Sequence, residues 1–394
     1  MNKFSVPSDF DISTIDYYKQ LNNEYENSKV VETYGNVTKE NIIESGRPKS
    51  VLPDVDFKQL ENYISYSLKS KINFNYTLNA TTLNNKEFIE DEVENIIRFL
   101  KRLNDAGVTS LTIAMPSMIE LVNKSFNCFK IKASTLCQIT SANKALMFKR
   151  LGVDRIVVDE SINRKFNKLK NIREQFGPDV ELIANVICHQ DCIYRMFHYN
   201  QMSSISLSEG NEISESYYPH RCLLQRYNNV SNLMKLSWIR PEDLKYYNNI
   251  GITNFKLQGR QAVKTKGHLK TIKHYFNQKY DGDLMDLLNM YDPLNSFRIF
   301  IKNSDLDGFI KPFVRDEYDF CENNCEKCGY CQKYAERIID MSHANDIIQK
   351  TKEFYNKFDP YSDQVQIVGE RVGGNYIESE IDDRINTELN DFNL

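Results

Sequence analysis

The amino-acid sequence predicts an α/β fold, a TIM-type (β/α)8 barrel with a small cysteine-rich C-terminal extension. Three observations predict it. Short β-prone runs alternate with helical stretches of about 10–15 residues, which is the pattern of parallel βαβ units. A glycine closes a helix and precedes an apolar run three times, in Ala106-Gly107-Val108, Leu151-Gly152-Val153 and Ile250-Gly251-Ile252. Seven strands are readable with one more near residues 29–35, the number that a closed barrel needs. A doubly wound open sheet is the second architecture that fits.

The elements follow in order. Residues 1–55 are polar and turn-rich and include Glu32-Thr33-Tyr34-Gly35 and Gly46-Arg47-Pro48. Phe57, Leu60, Tyr63, Ile64 and Leu68 share one helical face, and Ile72-Asn73-Phe74-Asn75-Tyr76-Thr77-Leu78 alternates as a strand does. A helix over residues 88–105 carries Ile89, Val93, Ile96, Ile97, Leu100 and Leu103 on its apolar face. The unit then recurs, with strands at residues 109–114, 130–136, 155–158 and 181–187 and helices around 119–122, 142–151 and 163–176. Lys235-Leu236-Ser237-Trp238 reads as a further strand, before a helix opening at Pro241-Glu242-Asp243. Residues 254–257 read as the last strand, and a basic helix covers about 266–280.

These elements divide the chain into an N-terminal arm (1–28), the barrel (29–285), a cysteine-rich extension (286–365) and an acidic tail (366–394) expected to lack a fixed fold. With 50 Lys and Arg against 54 Asp and Glu the formal charge is -4, which argues against a protein that coats nucleic acid. No run of 18 apolar residues and no secretory leader is present, so a cytoplasmic protein without a membrane partner is expected.

In a reducing compartment clustered cysteines are ligands more often than disulfides. Seven of the nine cysteines cluster, while Cys128 and Cys137 lie on or beside a strand as packing residues. The C-terminal group, Cys321, Cys325, Cys328 and Cys331, spells C-x3-C-x2-C-x2-C. Zinc ribbons separate their cysteine pairs by a long loop, whereas a continuous run of this kind suits an iron–sulfur cluster. One or two [4Fe-4S] clusters are therefore expected, with zinc as the alternative metal. The first three of these cysteines also match the loop of radical S-adenosylmethionine enzymes, but the 66 residues after Cys328 leave no room for the barrel that follows that loop.

The central group is Cys188, Cys192 and, thirty residues on, Cys222. Cys188 follows a strand, and strand C-termini form the active-site face of a parallel barrel. Small core residues, or a Cys188–His189 nucleophile pair, are the other readings of this segment.

Asn75 and Asn79 at the second strand's end, Asn185 on the cysteine strand and Arg195 after it are candidates to bind cofactor or substrate. Turn-capping explains the two earlier asparagines equally well. Arg240 before Pro241 could grip a carboxylate or simply pair with Glu242 or Asp243, and Arg260 sits where barrels build anion sites. His198 and His220 could transfer protons or serve as structural histidines. No GxSxG, HExxH, Walker A or GxGxxG motif occurs.

Ile183-Ala184-Asn185-Val186-Ile187-Cys188 with Cys192, Tyr194-Arg195 and His198, then Trp238-Ile239-Arg240-Pro241-Glu242-Asp243-Leu244, then Gly251-Ile252, Phe255-Lys256-Leu257 and Gly259-Arg260, together resemble the U32 peptidase (collagenase-like) family. The resemblance spans about residues 30–285. It implies a TIM-type barrel holding a cysteine-bound [4Fe-4S] cluster. It also implies oxygen-independent hydroxylation, or another redox modification, of a small molecule or RNA, with prephenate implicated as oxygen source in that group. An electron-donor protein would be a partner. A U32-type peptidase and a non-catalytic metal-stapled binding module are the alternatives.

The chain departs from the family pattern in one place. Lys245 stands where four-cysteine members carry their last ligand. Cys321 could complete the barrel set, leaving three thiols for a second cluster. Otherwise the C-terminal four form their own site and the barrel cluster keeps one iron without a cysteine.

Overall fold

The computed structural model describes residues 1–43, 45, 47, 52–205, 217–288, 298–315 and 319–355. Eight parallel strands close into a barrel in chain order: β1 (Asn2–Pro7), β2 (Ser28–Gly35), β3 (Asn73–Leu78), β4 (Ser110–Ile113), β5 (Lys130–Ala133), β6 (Arg155–Val157), β7 (Val180–Ile183) and β8 (Asn254–Lys256). β8 pairs back onto β1 through Lys3 opposite Asn254 and Phe4 opposite Phe255.

Helices α1 (Ile12–Glu24), α2 (Phe57–Lys69), α3 (Glu90–Asp105), α4 (Pro116–Ser125), α5 (Ala142–Arg150) and α6 (Phe166–Phe176) each follow one of the first six strands. Between β7 and β8 the chain makes a long excursion through α7 (Arg195–Ile205), α8 (Tyr217–Tyr227), α9 (Ser231–Lys235) and α10 (Leu244–Asn249). α11 (Gly267–Asn277) completes the ring, and α12 (Leu284–Leu288), α13 (Cys325–Cys328), α14 (Tyr330–Ile338) and α15 (Met341–Tyr355) follow. The glycines of the three recurring turns, Gly107, Gly152 and Gly251, all have positive φ, so the left-handed turn from helix to strand explains why glycine stands there.

Two sequence expectations are corrected. The arm at 1–28 contains β1 and α1, so the barrel begins at residue 2 and not at 29. Phe4 and Val6 are fully buried, but so are Asn2 and Ser5, and the strand opens on Asn-Lys and ends in Pro, so no apolar alternation marks it. Lys235-Leu236-Ser237-Trp238 is not a strand. Lys235 ends α9, Leu236 turns extended, and buried side chains take the carbonyls that a neighbouring strand would have taken. Arg164 Nη2 donates to Leu236 O at 2.5 Å and Asn163 Nδ2 to Ser237 O at 2.9 Å. The strand total of eight thus stands with one member exchanged.

The barrel floor, at the strands' N-terminal ends, is built from ions. Lys132 Nζ bonds Ser5, Glu32 and Glu181, and Arg155 reaches Asp179 and Glu181. Lys132, Glu32 and Glu181 are all buried, so each depends on the others to offset its lost hydration. A cavity of about 500 Å³ opens beneath them, lined by Lys3, Asn73, Asp154 and Asp179 among others. Cys128 also lines it and is exposed, which corrects its reading as a packing residue. Cys137 is buried, its thiol donating to Ala114 O at 3.2 Å.

The extension docks on the excursion between β7 and β8 through aromatic rings. Phe309, wholly buried, meets Trp238 at 5.4 Å, Tyr330 at 5.5 Å and Tyr334 at 4.9 Å between centroids. One such ring stabilises the contact by roughly 1.5–3 kcal/mol. The acidic tail from 366 onward lies outside the described residues. Among the described residues no helix is long and apolar enough to cross a membrane.

Candidate metal centre at the barrel mouth

β7 delivers the first cysteines. Past Ile183 the chain crosses the mouth, and Asn185, fully buried, fastens it to the end of β8. Asn185 Oδ1 accepts from Gln258 N at 2.8 Å and Nδ2 donates to Gln258 O at 3.0 Å. Cys188 then packs against Val157, Ile183 and Val186. Cys192 donates to Gln225 Oε1 of α8 at 3.7 Å, and on the same helix Arg226 Nη2 lies 3.8 Å from Cys222 Sγ. Arg226 also donates to Ile187 O at 3.2 Å, so α8 is strapped across the cysteine loop.

The three thiols sense one another electrostatically. Burial pushes the Cys188 thiol up to about 12, with Glu160 adding to this and Arg195 opposing it, and Cys222 is among its neighbours. Burial also raises Cys192, which again feels Cys222. Arg195 is anchored on α7 by Asp159 at 3.0 Å and Glu160 at 2.7 Å. Its side chain is therefore a fixed positive charge beside two thiols and not a mobile arm. The donor set of three thiols with Arg195 and Arg226 alongside fits a thiolate-bound, negatively charged group.

The other expected site residues divide. His198 lies on α7 between the rings of Tyr199 at 5.7 Å and Tyr218 at 6.1 Å. Burial, aided by Arg47, pushes it down to about 4, so it is neutral near neutral pH. His220 is lowered by partial burial and by Arg221. Asn79 Oδ1 is buried without a hydrogen-bond partner just past β3, which leaves it spare capacity.

Asn75 is not at the mouth. It lies early in β3, where Nδ2 bonds Ser110 and Oδ1 bonds Thr112, so its capacity is spent inside the barrel. Arg240 is not a substrate grip. It is 2% exposed and bonded to Asp243, Asp307 and Asn303 O, and it ties the extension to the barrel. Arg260 is likewise committed, to Asn36 Oδ1 at 2.8 Å and to Ser45 Oγ at 2.7 Å, holding the loop after β2.

Sequence reasoning passed over Tyr34, Arg47, Tyr199 and Lys256. Lys256 closes β8, with Nζ 4.1 Å from the Tyr34 ring centre, and burial pushes it down to about 8. The charge of Arg47 reaches Tyr34, His198 and Tyr199. The available signal was position: Tyr34 and Lys256 sit at strand C-termini.

The C-terminal cysteines lie together elsewhere. Cys321, Cys325, Cys328 and Cys331 all line one cavity of about 390 Å³, walled also by Phe313, Phe320 and Lys235. α13 is a single turn capped by Asn324, and Gly329, at φ 60°, turns the chain into α14 so that Cys331 faces the same space. Burial pushes Cys331 up to about 12, with Arg164 opposing it. Among the described residues no three His, Cys, Asp or Glu side chains close on a single point as one metal ion would require.

Comparison with known proteins adds the lineage. The model of Peptidase family U32 matches residues 53–286, a span that starts later than the resemblance read from the motifs. A relative named "Uncharacterized protease MJ1657", from Methanocaldococcus jannaschii, is 28% identical over 299 residues, covering 76% of this chain and 86% of that protein. The solved U32 peptidase Mk0906 is 16% identical with a TM-score of 0.47, over 66% of this chain and 93% of its own. A solved variant of the citrate synthase SbnG is 10% identical with a TM-score of 0.33, over 70% of this chain and 94% of its own. At such scores the fold rests on the closed barrel itself. The family match spans more than half of the chain, and the chain belongs to peptidase family U32.

Proposed function

We propose that this chain is an iron–sulfur enzyme that carries out oxygen-independent hydroxylation, or another redox modification, of a small molecule or RNA at the barrel mouth. The observation that carries the reading is that the loop bearing Cys188 and Cys192, past the C-terminal end of β7, is held to the helix bearing Cys222 by Arg226 to Ile187 O and by Cys192 to Gln225. These three residues would hold a [4Fe-4S] cluster. Such a cluster would supply electron transfer and, at an iron without a cysteine, a Lewis acid. The thiols would first lose their protons to become its ligands, and Arg195 and Arg226 favour that loss at Cys188.

The remaining mouth residues suit an anionic substrate. Arg47 and Lys256 place positive charge around Tyr34, and neutral His198 offers a hydrogen bond instead of a charge. Asn79 Oδ1 is a buried acceptor still without a donor, as a substrate hydroxyl or amine would provide. A reducing, cytoplasmic setting and an electron-donor protein belong to the same reading.

The peptidase reading carried by the family name meets a chemical obstacle. Cys188 is protonated at neutral pH, and His189 Nε2 is buried with no hydrogen-bond partner, so the pair is not an activated nucleophile.

Anaerobically purified protein is expected to contain iron and acid-labile sulfide. Cys188→Ser should lose the barrel's share of the iron while keeping the wild-type circular dichroism spectrum. Zinc alone, or unchanged iron in Cys188→Ser, would sink the proposal. Peptide hydrolysis retained by Cys188→Ser would favour a peptidase.

A further inference from the structure

Arg164 is a buried cation with no ion-pair partner among the described residues. It is 3% exposed, and its guanidinium donates only to the carbonyls of Met234 at 2.6 Å and Leu236 at 2.5 Å. Its faces lie over Trp238 at 4.4 Å, Phe309 at 5.0 Å and Phe313 at 5.7 Å, and its Nε is buried with no partner. No carboxylate forms an ion pair with it among the described residues. Lys235 is half-buried, and among the described residues its Nζ bonds only Asn232 Oδ1, at 3.1 Å. An unmatched buried charge costs several kcal/mol, so natural proteins keep one where an anion completes it.

Both cations point toward the same place. Lys235 lines the four-cysteine cavity, and Arg164 stands behind its Phe313 wall. Arg164 feels Cys331 and Cys321, and Lys235 feels Cys325 and Cys331. α14, which carries Cys331, packs against α9, which ends in Lys235.

We propose that Cys321, Cys325, Cys328 and Cys331 hold a second, complete four-thiolate iron–sulfur cluster, separate from the barrel's three thiols and balanced by Arg164 and Lys235. This deepens the functional reading above and rests on it for the barrel cluster. It assigns Cys321 to the C-terminal set, so the barrel cluster keeps one iron free of cysteine. All four thiols line one cavity, and their continuous C-x3-C-x2-C-x2-C run suits a cluster with one cysteine on each iron better than the separated pairs of a zinc ribbon.

The two sites are neighbours. Cys321 Sγ donates to Asn323 Oδ1 at 3.3 Å, and Asn323 Nδ2 donates to Asp191, the residue before Cys192. Asn323 and Asp191 both have positive φ, at 61° and 52°, a conformation that Asn and Asp tolerate better than most residues.

The full chain, reconstituted anaerobically with iron and sulfide, tests this. The double variant Cys325→Ser/Cys331→Ser is expected to lose about half of the iron and keep the barrel cluster's electron paramagnetic resonance signal. Cys321→Ser should perturb only the C-terminal signal. Lys235→Gln should lower the reduction potential of that cluster alone, because a positive charge is removed beside it. The proposal is overturned if the double variant keeps all of its iron, if zinc fills the C-terminal site, or if Cys321→Ser empties the barrel site. It is also overturned if Lys235→Gln leaves both potentials unchanged. Unchanged iron in Cys188→Ser alone would remove the barrel cluster and leave this second site standing.

Discussion

Buried charge is handled in opposite ways at the floor of the barrel and at its junction with the extension. On the floor, Lys132 sits between Glu32 and Glu181, and Arg155 between Glu181 and Asp179, so both of these cations have carboxylates. At the junction, Arg164 and Lys235 have carbonyls, an amide and aromatic rings but no carboxylate among the described residues. The first arrangement is finished by folding. The second is finished only by something that brings negative charge. Conserving a fold and holding a ligand thus leave different electrostatic marks, and both marks are present within one chain.

Removing charge from each region separates the two cases. Lys132→Met should leave two buried carboxylates facing each other and cost about 3–5 kcal/mol in urea unfolding. A loss below about 1 kcal/mol would mean that the floor is not an ion-matched site.

A third buried group, His268, lies 3.8 Å from Asp9 and is held neutral instead of matched. Burial, with Lys266 assisting, pushes His268 down to about 4, and burial also raises Asp9. The unfolded chain protonates this histidine below about pH 6.5 and the folded chain only near 4, so stability present above 6.5 is lost as pH falls through that window. The loss should reach at most about 3 kcal/mol. His268→Gln should flatten the pH dependence of the unfolding midpoint between those values, and an unchanged slope would refute the assignment.

The smallest effect is expected at the junction. In the metal-free protein Lys235→Met should change stability by less than about 1 kcal/mol, since no carboxylate is orphaned. A large loss would show that Lys235 already has a counter-charge and would erase the contrast.

Much of the barrel was legible because its signals are local. Helical spacing from Phe57 to Leu68 and the glycine turns at 107, 152 and 251 act over a few residues, and the helices fell close to where they were read. β1 was missed because the burial of Phe4 and Val6 comes from partners near residues 30 and 255, which no local pattern reveals. Lys235-Leu236-Ser237-Trp238 misled for the opposite reason: its residues suit a strand, but Asn163 and Arg164 occupy its hydrogen-bonding edge. At the site, cysteine spacing was readable as covalent sequence. For Arg240 the structure favours the alternative already readable, the pair with Asp243, but a sequence does not show the Asp307 that also holds it or the Ser45 that occupies Arg260.

The seam where β1 meets β8 has a consequence for synthesis. A strand made at residues 2–7 waits for its second neighbour at 254–256, at about 5–20 residues added per second. Cys188, Cys192 and Cys222 emerge from the ribosome ahead of that neighbour. The nascent chain therefore presents its barrel thiols while the ring is still open, an interval in which a cluster could be loaded from outside before the last strand seals the wall.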